Sequence, residues 1–479
     1  MACVNVEKSK YPYALILIIL LFFIWGGISA MNDVLVAYFK ELFILTELQS
    51  LLIQFAFFGA YGFGALSYYL YSNKFGDPIN KVGYKQGIMS GLIIAGIGCI
   101  SFYPTILSNN YYVILGSFFI IGIGLTLIQI SCNPYVAIIG KPQSASARLN
   151  LAQGFNSLGT TLGPLLGGFL VFNYLSGNAA IQVPYLICGA ILFLFAFLLY
   201  KVDLPDYKNQ LSTNLKGNAL QFSHLKKGML AIFFYVGAEV AISSKLLEYA
   251  MLPTIGNVNK SMATDYLALY WGGAMIGRLL IASIADEIDM QKTLAQKIRN
   301  GVLTIFSTFI ILFLFIGLKS HVLANDESLT IGIFVSIFKF TSPLLIFVTI
   351  QFILMLIFSK SSQKLLASFS FICVALLLTS YIFEGNIGLW SVIAIGLFNS
   401  IMWSNIFTLS IAELKDYTSQ GSSLLIIMIV GGAILPLGFG LMADWIDLPT
   451  AFLFPIISYL YILYFGRIGY KIKQTKIYE

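Results

Sequence analysis

The chain has 479 residues, of which 58% are hydrophobic and only 10% are charged, and its mean hydropathy is +0.86. A soluble protein of this size needs far more charge to cover its surface, so the composition excludes a soluble enzyme and predicts a polytopic helical membrane protein. The net charge of +7 could indicate a nucleic-acid or anionic-surface partner, so the positions of the basic residues decide its meaning.

Fourteen apolar stretches are long enough to cross a bilayer as helices, for which about 20 residues suffice. Because the runs are continuous and do not alternate, we predict an all-α integral membrane fold and exclude a β-barrel. In chain order the predicted spans are 13–38, 49–72, 85–105, 110–139, 149–174, 183–201, 228–253, 264–285, 300–318, 329–358, 365–384, 387–411, 421–444 and 449–469.

The basic residues predict the orientation of these spans. With the N-terminus in the cytoplasm, 22 of the 28 basic residues lie on the cytoplasmic side, and the opposite side keeps Lys40, Lys260 and Lys319. Because cytoplasmic loops carry the excess of Lys and Arg, we predict a multi-pass protein of the inner membrane with both termini in the cytoplasm. The positive charge is then a topology signal, and we expect no nucleic-acid partner. The first span has no cleavage site, so we expect it to be retained.

A polar stretch divides the chain into two halves. Residues 202–227 carry prolines, glycines and lysines and are predicted to form a cytoplasmic linker between an N-terminal six-helix half, 1–201, and a C-terminal half, 228–479. The C-terminal half holds eight predicted spans, two more than the first. We place the extra helix pair at about 300–358 and expect it to be peripheral.

The two halves also share a weak repeated sequence pattern. Asn133 precedes Pro164 by 31 residues, and Asn405 precedes Pro436 by the same distance. Each half therefore has a polar, interrupted helix before a Gly/Pro-rich one, and corresponding segments of this kind mark the translocation path of transporters. Close helix packing is an equally good account of any single glycine.

Motifs in both halves resemble one family. They include "IWGGISAMNDVLVAYFK", "CNPYVAIIG", "RLNLAQGFNSLGTTLGPLLGG", "YWGGAMIGRLL" and "QGSSLLIIMIVGGAILPLGFGLMAD". On these stretches the chain resembles the fucose–galactose–glucose:proton symporters of the major facilitator superfamily. The resemblance implies proton-coupled import of an L-fucose-, galactose- or glucose-type monosaccharide by alternating access. Two departures are Gln129, where the fucose permease pattern has a glutamate, and Ser404-Asn405, where a proline is usual.

Few ionisable residues lie at bilayer depth, where each costs several kcal/mol and needs a reason. By the resemblance, Asp33 occupies the position of the proton-coupling aspartate, and an isolated carboxylate in a partly desolvated cavity can take up and release a proton. The alternative is a residue at the end of a helix that simply faces water. Glu239 is predicted to face sugar or to share in coupling, or else to make a structural hydrogen bond. His224 and His321 fall outside the predicted spans, so coupling is expected from carboxylates. Sodium in place of the proton stays open.

Three further charges have structural explanations. Lys245 and Glu248 lie three residues apart on one predicted helix, which favours a local ion pair near its outer end. Arg278 lies toward the cytoplasmic end of its span, where we expect it to brace a closed gate more often than to contact sugar. Its expected partners are Asp286, Glu413 and Asp416.

A sugar offers hydroxyl groups and an apolar face, so its site needs hydrogen-bonding side chains and an aromatic platform. We predict Trp403 as the platform. The amides inside the spans exceed what helix packing usually requires, although any single one can serve packing alone. Gln153 and Asn156 share one helix face with Thr160. The predicted sugar ligands are Asn32, Gln129, Asn133, Gln153, Asn156, Asn399 and Asn405.

The sequence leaves rival functions open. An exporter of drugs or lipids on the same scaffold would need a broad apolar cavity, against which the amides argue. A membrane sensor that binds sugar without moving it normally carries a longer soluble segment than this chain has. We expect a transporter and not an enzyme, active as a monomer among membrane lipids. Neither a cofactor nor a metal is expected, since the five cysteines lack metal-ligand spacing.

Overall fold

Helices make up every regular element of the described part of the chain. The computed structural model describes residues 12–75, 78–139, 145–202, 204, 219–284, 292–324, 331–358, 361–414 and 417–472. The helices are α1 (Pro12–Leu42), α2 (Glu47–Ser50), α3 (Leu52–Phe75), α4 (Pro78–Val82), α5 (Tyr84–Leu107), α6 (Tyr111–Ile138), α7 (Ala145–Phe169), α8 (Ala179–Lys201), α9 (Ser223–Met251), α10 (Lys260–Ile284), α11 (Leu294–Ala324), α12 (Ile331–Thr341), α13 (Pro343–Phe358), α14 (Ser362–Ile382), α15 (Gly385–Asn399), α16 (Met402–Ile411), α17 (Thr418–Ile427), α18 (Gly431–Trp445), α19 (Leu448–Ala451) and α20 (Ile456–Tyr464).

The predicted all-α membrane fold is confirmed, but the span count is lower than predicted. Within the described ranges, twelve helices are long and apolar enough to cross a membrane, and α12 with α13, bent by 45°, makes a thirteenth. The bend falls at Pro343, whose ring prevents a continuous helix. The predicted span 49–72 corresponds to α3, which has 24 residues but carries Gln54 and several tyrosines that lower its hydropathy. Fourteen full spans are therefore not confirmed.

The two halves repeat one packing scheme. In the N-terminal half α1 packs on α7, α3 on α6, and α5 on both α6 and α8. In the C-terminal half α9 packs on α18, α10 on α15, and α14 on both α15 and α20. Helices α11 to α13 have no counterpart in the N-terminal half. Only 28% of the apolar 18-residue segment of α11 is buried, against 83% for that of α9. The insertion of a helix pair at about 300–358 stays a prediction.

Glycine brings α1 and α7 into direct backbone contact. A Cβ atom at Gly26 would lie 2.1 Å from the carbonyl oxygen of Asn156, and one at Gly159 would lie 1.9 Å from that of Phe23. No larger residue fits at either position without moving a helix. The contact fixes the polar faces of α1 and α7 side by side. The C-terminal half closes over them, because α9 packs on α1 and α10 packs on α7.

Candidate functional site

Two adjoining cavities of about 150 and 140 Å³ lie between the halves, and we refer to them together as the central cavity. Its walls come from α1, α3, α6 and α7 on one side and from α9, α10, α16 and the turn before α18 on the other. The two parts share seven lining residues, which are Trp25, Gln129, Asn156, Val236, Glu239, Arg278 and Ile429. Amide, carboxylate, guanidinium and indole groups thus face one space.

Asp33 lies in the wall of this cavity, where the halves meet. Its side chain is buried, and its carboxylate accepts three hydrogen bonds. Gln54 Nε2 on α3 donates at 3.0 Å, Ser244 Oγ on α9 at 3.2 Å, and Trp271 Nε1 on α10 at 3.1 Å. Asp33 itself is on α1, so its carboxylate joins both halves of the protein.

A second carboxylate and a guanidinium line both parts of the cavity. Glu239 accepts a hydrogen bond from the hydroxyl of Tyr235 at 2.7 Å. Arg278 donates to Ser157 Oγ at 2.6 Å and to the carbonyl oxygen of Ser400 at 3.2 Å. Because Ser157 belongs to the N-terminal half and Ser400 to the C-terminal half, Arg278 also bridges the halves. Its positive charge attracts the Glu239 carboxylate.

The gate predicted around Arg278 stays a prediction, because most of its expected partners are not described. Asp286 and Asp416 lie outside the described residues, and Glu413 is in the turn that follows α16. Arg278 faces the central cavity, where it contacts Ser157 and Ser400 and interacts with Tyr235 and Glu239. His224 lies in the first turn of α9, with a ring nitrogen 2.9 Å from the carbonyl oxygen of Ala412, and its predicted place outside the membrane stays a prediction.

Seven of the predicted residues line the cavity. Gln129 Oε1 is buried without a hydrogen-bond partner and can accept a bond from a ligand hydroxyl. Asn156 is anchored by its Nδ2 donating to the carbonyl oxygen of Phe22 at 3.0 Å, while Trp403 stacks on Phe407 with 6.2 Å between ring centres. The seven are Asp33, Gln129, Gln153, Asn156, Glu239, Arg278 and Trp403.

Four predicted sugar ligands are not among the lining residues, and two of them belong to the N-terminal half. Asn32 precedes Asp33, so the helical turn directs it to another face of α1. Its Oδ1 accepts a hydrogen bond from the hydroxyl of Tyr185 on α8 at 3.4 Å. Asn133 Oδ1 is buried without a hydrogen-bond partner, and its side chain does not line the cavity.

The other two belong to the C-terminal half and hold helices together there. Asn399 is fully buried, donates to the Tyr270 hydroxyl at 3.1 Å and accepts from the Tyr459 hydroxyl at 2.9 Å. Asn405 donates to the carbonyl oxygen of Ser362 at 3.3 Å, on the side of α16 that faces α14. These amides cross-link helices within one half, and the structure does not bring them to the cavity.

Several lining residues were missed by the sequence reasoning. Trp25 and Trp271 each precede a Gly-Gly pair, in "IWGG" and "YWGG", and this shared pattern could have identified them. Trp25 Nε1 donates to the Tyr61 hydroxyl at 3.0 Å. Gln54 is not a lining residue but donates to Asp33, and it could have been found as an amide inside a predicted apolar span. Tyr61 and Tyr235 carry no comparable signal among 27 tyrosines.

A charged cluster joins the halves at the end of the bundle where α1 stops and α2 begins. Lys245 is fully buried, and its Nζ contacts a Glu47 carboxylate oxygen, Ser50 Oγ at 2.7 Å and a Glu248 oxygen at 2.8 Å. Lys40 also contacts Glu47, and it meets Glu248 at 2.6 Å. The predicted Lys245–Glu248 ion pair is therefore confirmed. We call these four charged residues the outer ion-pair network, after the side of the membrane on which the predicted orientation would place them.

Two more contacts between the halves surround the network. The Asp444 carboxylate on α18 accepts hydrogen bonds from the backbone N–H groups of Glu47 at 2.7 Å and Leu48 at 3.0 Å, which begin α2. Lys260 pairs with Glu41 nearer the surface. Burial acts to raise the pKa of Glu47, but the neighbouring ammonium groups outweigh it and hold that pKa below its ordinary value.

The chain is similar to sugar transporters along most of its length. The profile described as Major Facilitator Superfamily matches residues 14–345. A glucose/galactose transporter of Brucella abortus biovar 1 (strain 9-941) is 36% identical, over 97% of this chain and 96% of that protein. The L-fucose-proton symporter of Escherichia coli (strain K12) is 27% identical, over 96% of this chain and 94% of that protein. The crystal structure of the transporter FucP in the outward conformation aligns with a TM-score of 0.63 and 26% identity, covering 98% of this chain and all of that one.

Proposed function

Because this chain belongs to the Major Facilitator Superfamily, we propose that it is a secondary transporter that imports a monosaccharide together with protons across the cytoplasmic membrane. Relatives named glucose/galactose transporter and L-fucose-proton symporter support an L-fucose, galactose or glucose type of substrate. The observation that carries the proposal is the position of Asp33, whose carboxylate lies in the wall of an amide- and indole-lined cavity between the halves.

The cavity suits a sugar in both polarity and shape. Gln129, Gln153 and Asn156 offer amide groups to ring hydroxyls, and Trp403 offers an aromatic face to the apolar side of the ring. Glu239 and Arg278 add an acceptor and donors on the opposite wall. A drug or lipid carrier needs a more apolar lining, so we favour the sugar.

Proton coupling follows from the chemistry of Asp33. The protonated side chain is neutral and lets the loaded halves move past each other, whereas the carboxylate attracts the donors around it. Proton uptake at Asp33 raises the affinity for sugar, and both leave on the inner side. At the other end of the transport cycle, the outer ion-pair network closes the extracellular side.

The same proposal includes a topology and a domain division. Both termini lie in the cytoplasm, with an N-terminal half at 1–201, a linker at 202–227 and a C-terminal half at 228–479. The extra helices at about 300–358 are peripheral and face lipid. The monomer is the transporting unit, and transport requires neither an enzymatic reaction nor a cofactor.

Sugar uptake by the purified protein in proteoliposomes tests the proposal. Labelled L-fucose, galactose, glucose and mannose are offered at two external pH values, with and without sodium. We expect uptake of at least one of the first three, stimulated by an inward proton gradient and indifferent to sodium. Uptake that follows sodium and ignores pH would replace the proton by sodium. No uptake of any sugar under all conditions would refute the function.

Two amides with different positions test the substrate site. Gln153→Ala removes a cavity amide and should weaken sugar affinity about tenfold, the effect of one lost polar contact. Asn399→Ala removes an amide that is fully buried among tyrosines. It should lower thermal stability and leave sugar affinity within about twofold of the wild type. Equal losses of affinity in both variants would contradict the proposed site.

A further inference from the structure

Gln54 makes the closest polar contacts that cross from α3 to the proton site. Its side chain is 1% exposed, and its Nε2 lies 3.0 Å from Asp33 Oδ1 and 2.8 Å from Ser244 Oγ. Gln54 Oε1 is also buried and has no hydrogen-bond partner. One amide therefore contacts a carboxylate of its own half and a hydroxyl of the other half, while its second polar atom stays unused.

Protonation of Asp33 changes what its neighbours must supply. A carboxylate only accepts hydrogen bonds, so it requires donors, whereas a carboxylic acid also needs an acceptor for its O–H. The indole of Trp271 can only donate. An amide has a donor end and an acceptor end of nearly equal size, and half a turn about its terminal bond exchanges them. Gln54 can thus meet both forms of Asp33 without any helix movement.

We propose that Gln54 is the positioning residue of the proton site, and that its amide reverses when Asp33 gains or loses the proton. With the carboxylate, Gln54 donates to Asp33 and to Ser244. With the acid, it accepts from the Asp33 O–H, and the Ser244 hydroxyl donates to the same amide oxygen. This inference rests on the proposed function, in which Asp33 carries the proton. It adds a residue whose amide offers a donor to the Asp33 carboxylate and an acceptor to the protonated acid.

Other charged groups face the same region. Glu239 on α9 and Arg278 on α10 line the part of the cavity that contains Asp33, and Tyr61 faces it from α3. Lys245 follows Ser244 on α9 but is engaged with Glu47 and Glu248. These groups stay in place when Gln54 is substituted, so a difference between variants at this position reports on the amide itself.

Loss of the amide should favour the protonated carrier. Hydrogen bonds to an ionised group are stronger than those to a neutral one, so removal of Gln54 destabilises the ionised form of Asp33 more than the protonated form. We expect Gln54→Leu to move the pH midpoint of sugar affinity upward by about one unit. Gln54→Glu keeps the shape and polarity but places a second carboxyl beside Asp33, where two like charges resist ionisation together. Its midpoint should rise further than that of the leucine variant.

The test is the pH dependence of the half-saturating sugar concentration in counterflow, with equal pH on both sides of the proteoliposome. Labelled glucose, galactose or L-fucose serves as the probe, whichever the wild type carries. Gln351→Leu is the matched control, because Gln351 is also fully buried, has a satisfied Nε2 and an unpartnered Oε1, and bonds to Leu397 and Ser400 instead of Asp33. Its midpoint should equal that of the wild type, whatever happens to maximal flux.

Three results distinguish a failure of proton coupling from a failure of the role of Gln54. A wild-type protein whose sugar affinity ignores pH refutes the proton coupling in the proposed function, on which this inference rests. A pH-dependent wild type with unshifted midpoints in both Gln54 variants overturns the role of Gln54 and leaves proton coupling intact. If Gln54→Leu does not fold, the glutamate variant alone decides, since a wild-type midpoint in that variant contradicts the proposal.

Discussion

Lys245→Met should open the outer side of the transporter. Lys245 is fully buried and pairs with Glu47, whose side chain is 15% exposed, so the substitution leaves a poorly hydrated carboxylate at the junction of the halves. Loss of one partner from a buried pair costs about 3 to 5 kcal/mol. Lys40 still contacts Glu47 and recovers part of this, which leaves about 2 kcal/mol. The outer-closed state should therefore lose about 30-fold in population against the outer-open state.

Distances between spin labels measure this population. One label replaces Ser108 in the loop after α5, and the other replaces Thr254 in the loop after α9, both exposed at this end of the bundle in opposite halves. Lys260→Met is the matched control, because Lys260 also pairs across the halves, with Glu41, but the two side chains are 35% and 53% exposed. An exposed pair contributes less than about 1 kcal/mol, so the control should shift the population less than about fivefold. Indistinguishable distance distributions for the two variants would refute the reasoning.

Three further predictions concern stability. The ionised Glu47 stabilises the fold fully above the ordinary glutamate pKa of 4.5, and this stabilisation is lost as the pH falls through the depressed pKa of Glu47. Melting temperatures measured between about pH 3 and 7 should therefore fall more steeply toward acid pH in the wild type than in Glu47→Gln. Parallel curves for the two proteins would contradict the prediction. Lys319→Met leaves the buried Asp265 without its ammonium partner at 2.6 Å and should cost about 3 kcal/mol in thermal unfolding, whereas Lys319→Met with Asp265→Leu should recover most of it. Gly159→Ala places a Cβ 1.9 Å from a backbone oxygen and should lower the free energy of unfolding by at least about 1 kcal/mol. In the control Gly116→Ala the new Cβ meets nothing within 4 Å, so this variant should be neutral or stabilising. Equal melting temperatures for the two variants would refute the close approach of α1 and α7.

Most of the fold could be predicted because each span carries its own signal. A run of about 20 apolar residues forms a helix in a bilayer whatever its neighbours are, so the spans follow from hydropathy alone. The prediction exceeded the structural count where that signal is weak or broken. Gln54 and the tyrosines lower the hydropathy of α3, and Pro343 bends the stretch 329–358 into two helices.

The site could be predicted only in part, because side-chain direction depends on how helices pack. Ionisable residues stood out by their cost in lipid, and the cavity contains Asp33 and Glu239. The sequence did not distinguish the amides that line the cavity from those that hold helices together. Gln153 lines the cavity while Asn399 is held between two tyrosines, and both are amides in apolar spans. The donors around Asp33 come from three other helices, a relation that spacing along one chain segment cannot reveal.

Proton movement driven by sugar tests the central claim most directly. Sugar is added outside weakly buffered proteoliposomes while the external pH is recorded, and sugar exchange is followed in parallel by counterflow. The wild type should alkalinise the medium. Asp33→Asn, whose side chain is always neutral, should abolish the alkalinisation while sugar exchange continues. Undiminished alkalinisation by this variant would show that Asp33 is not the proton carrier.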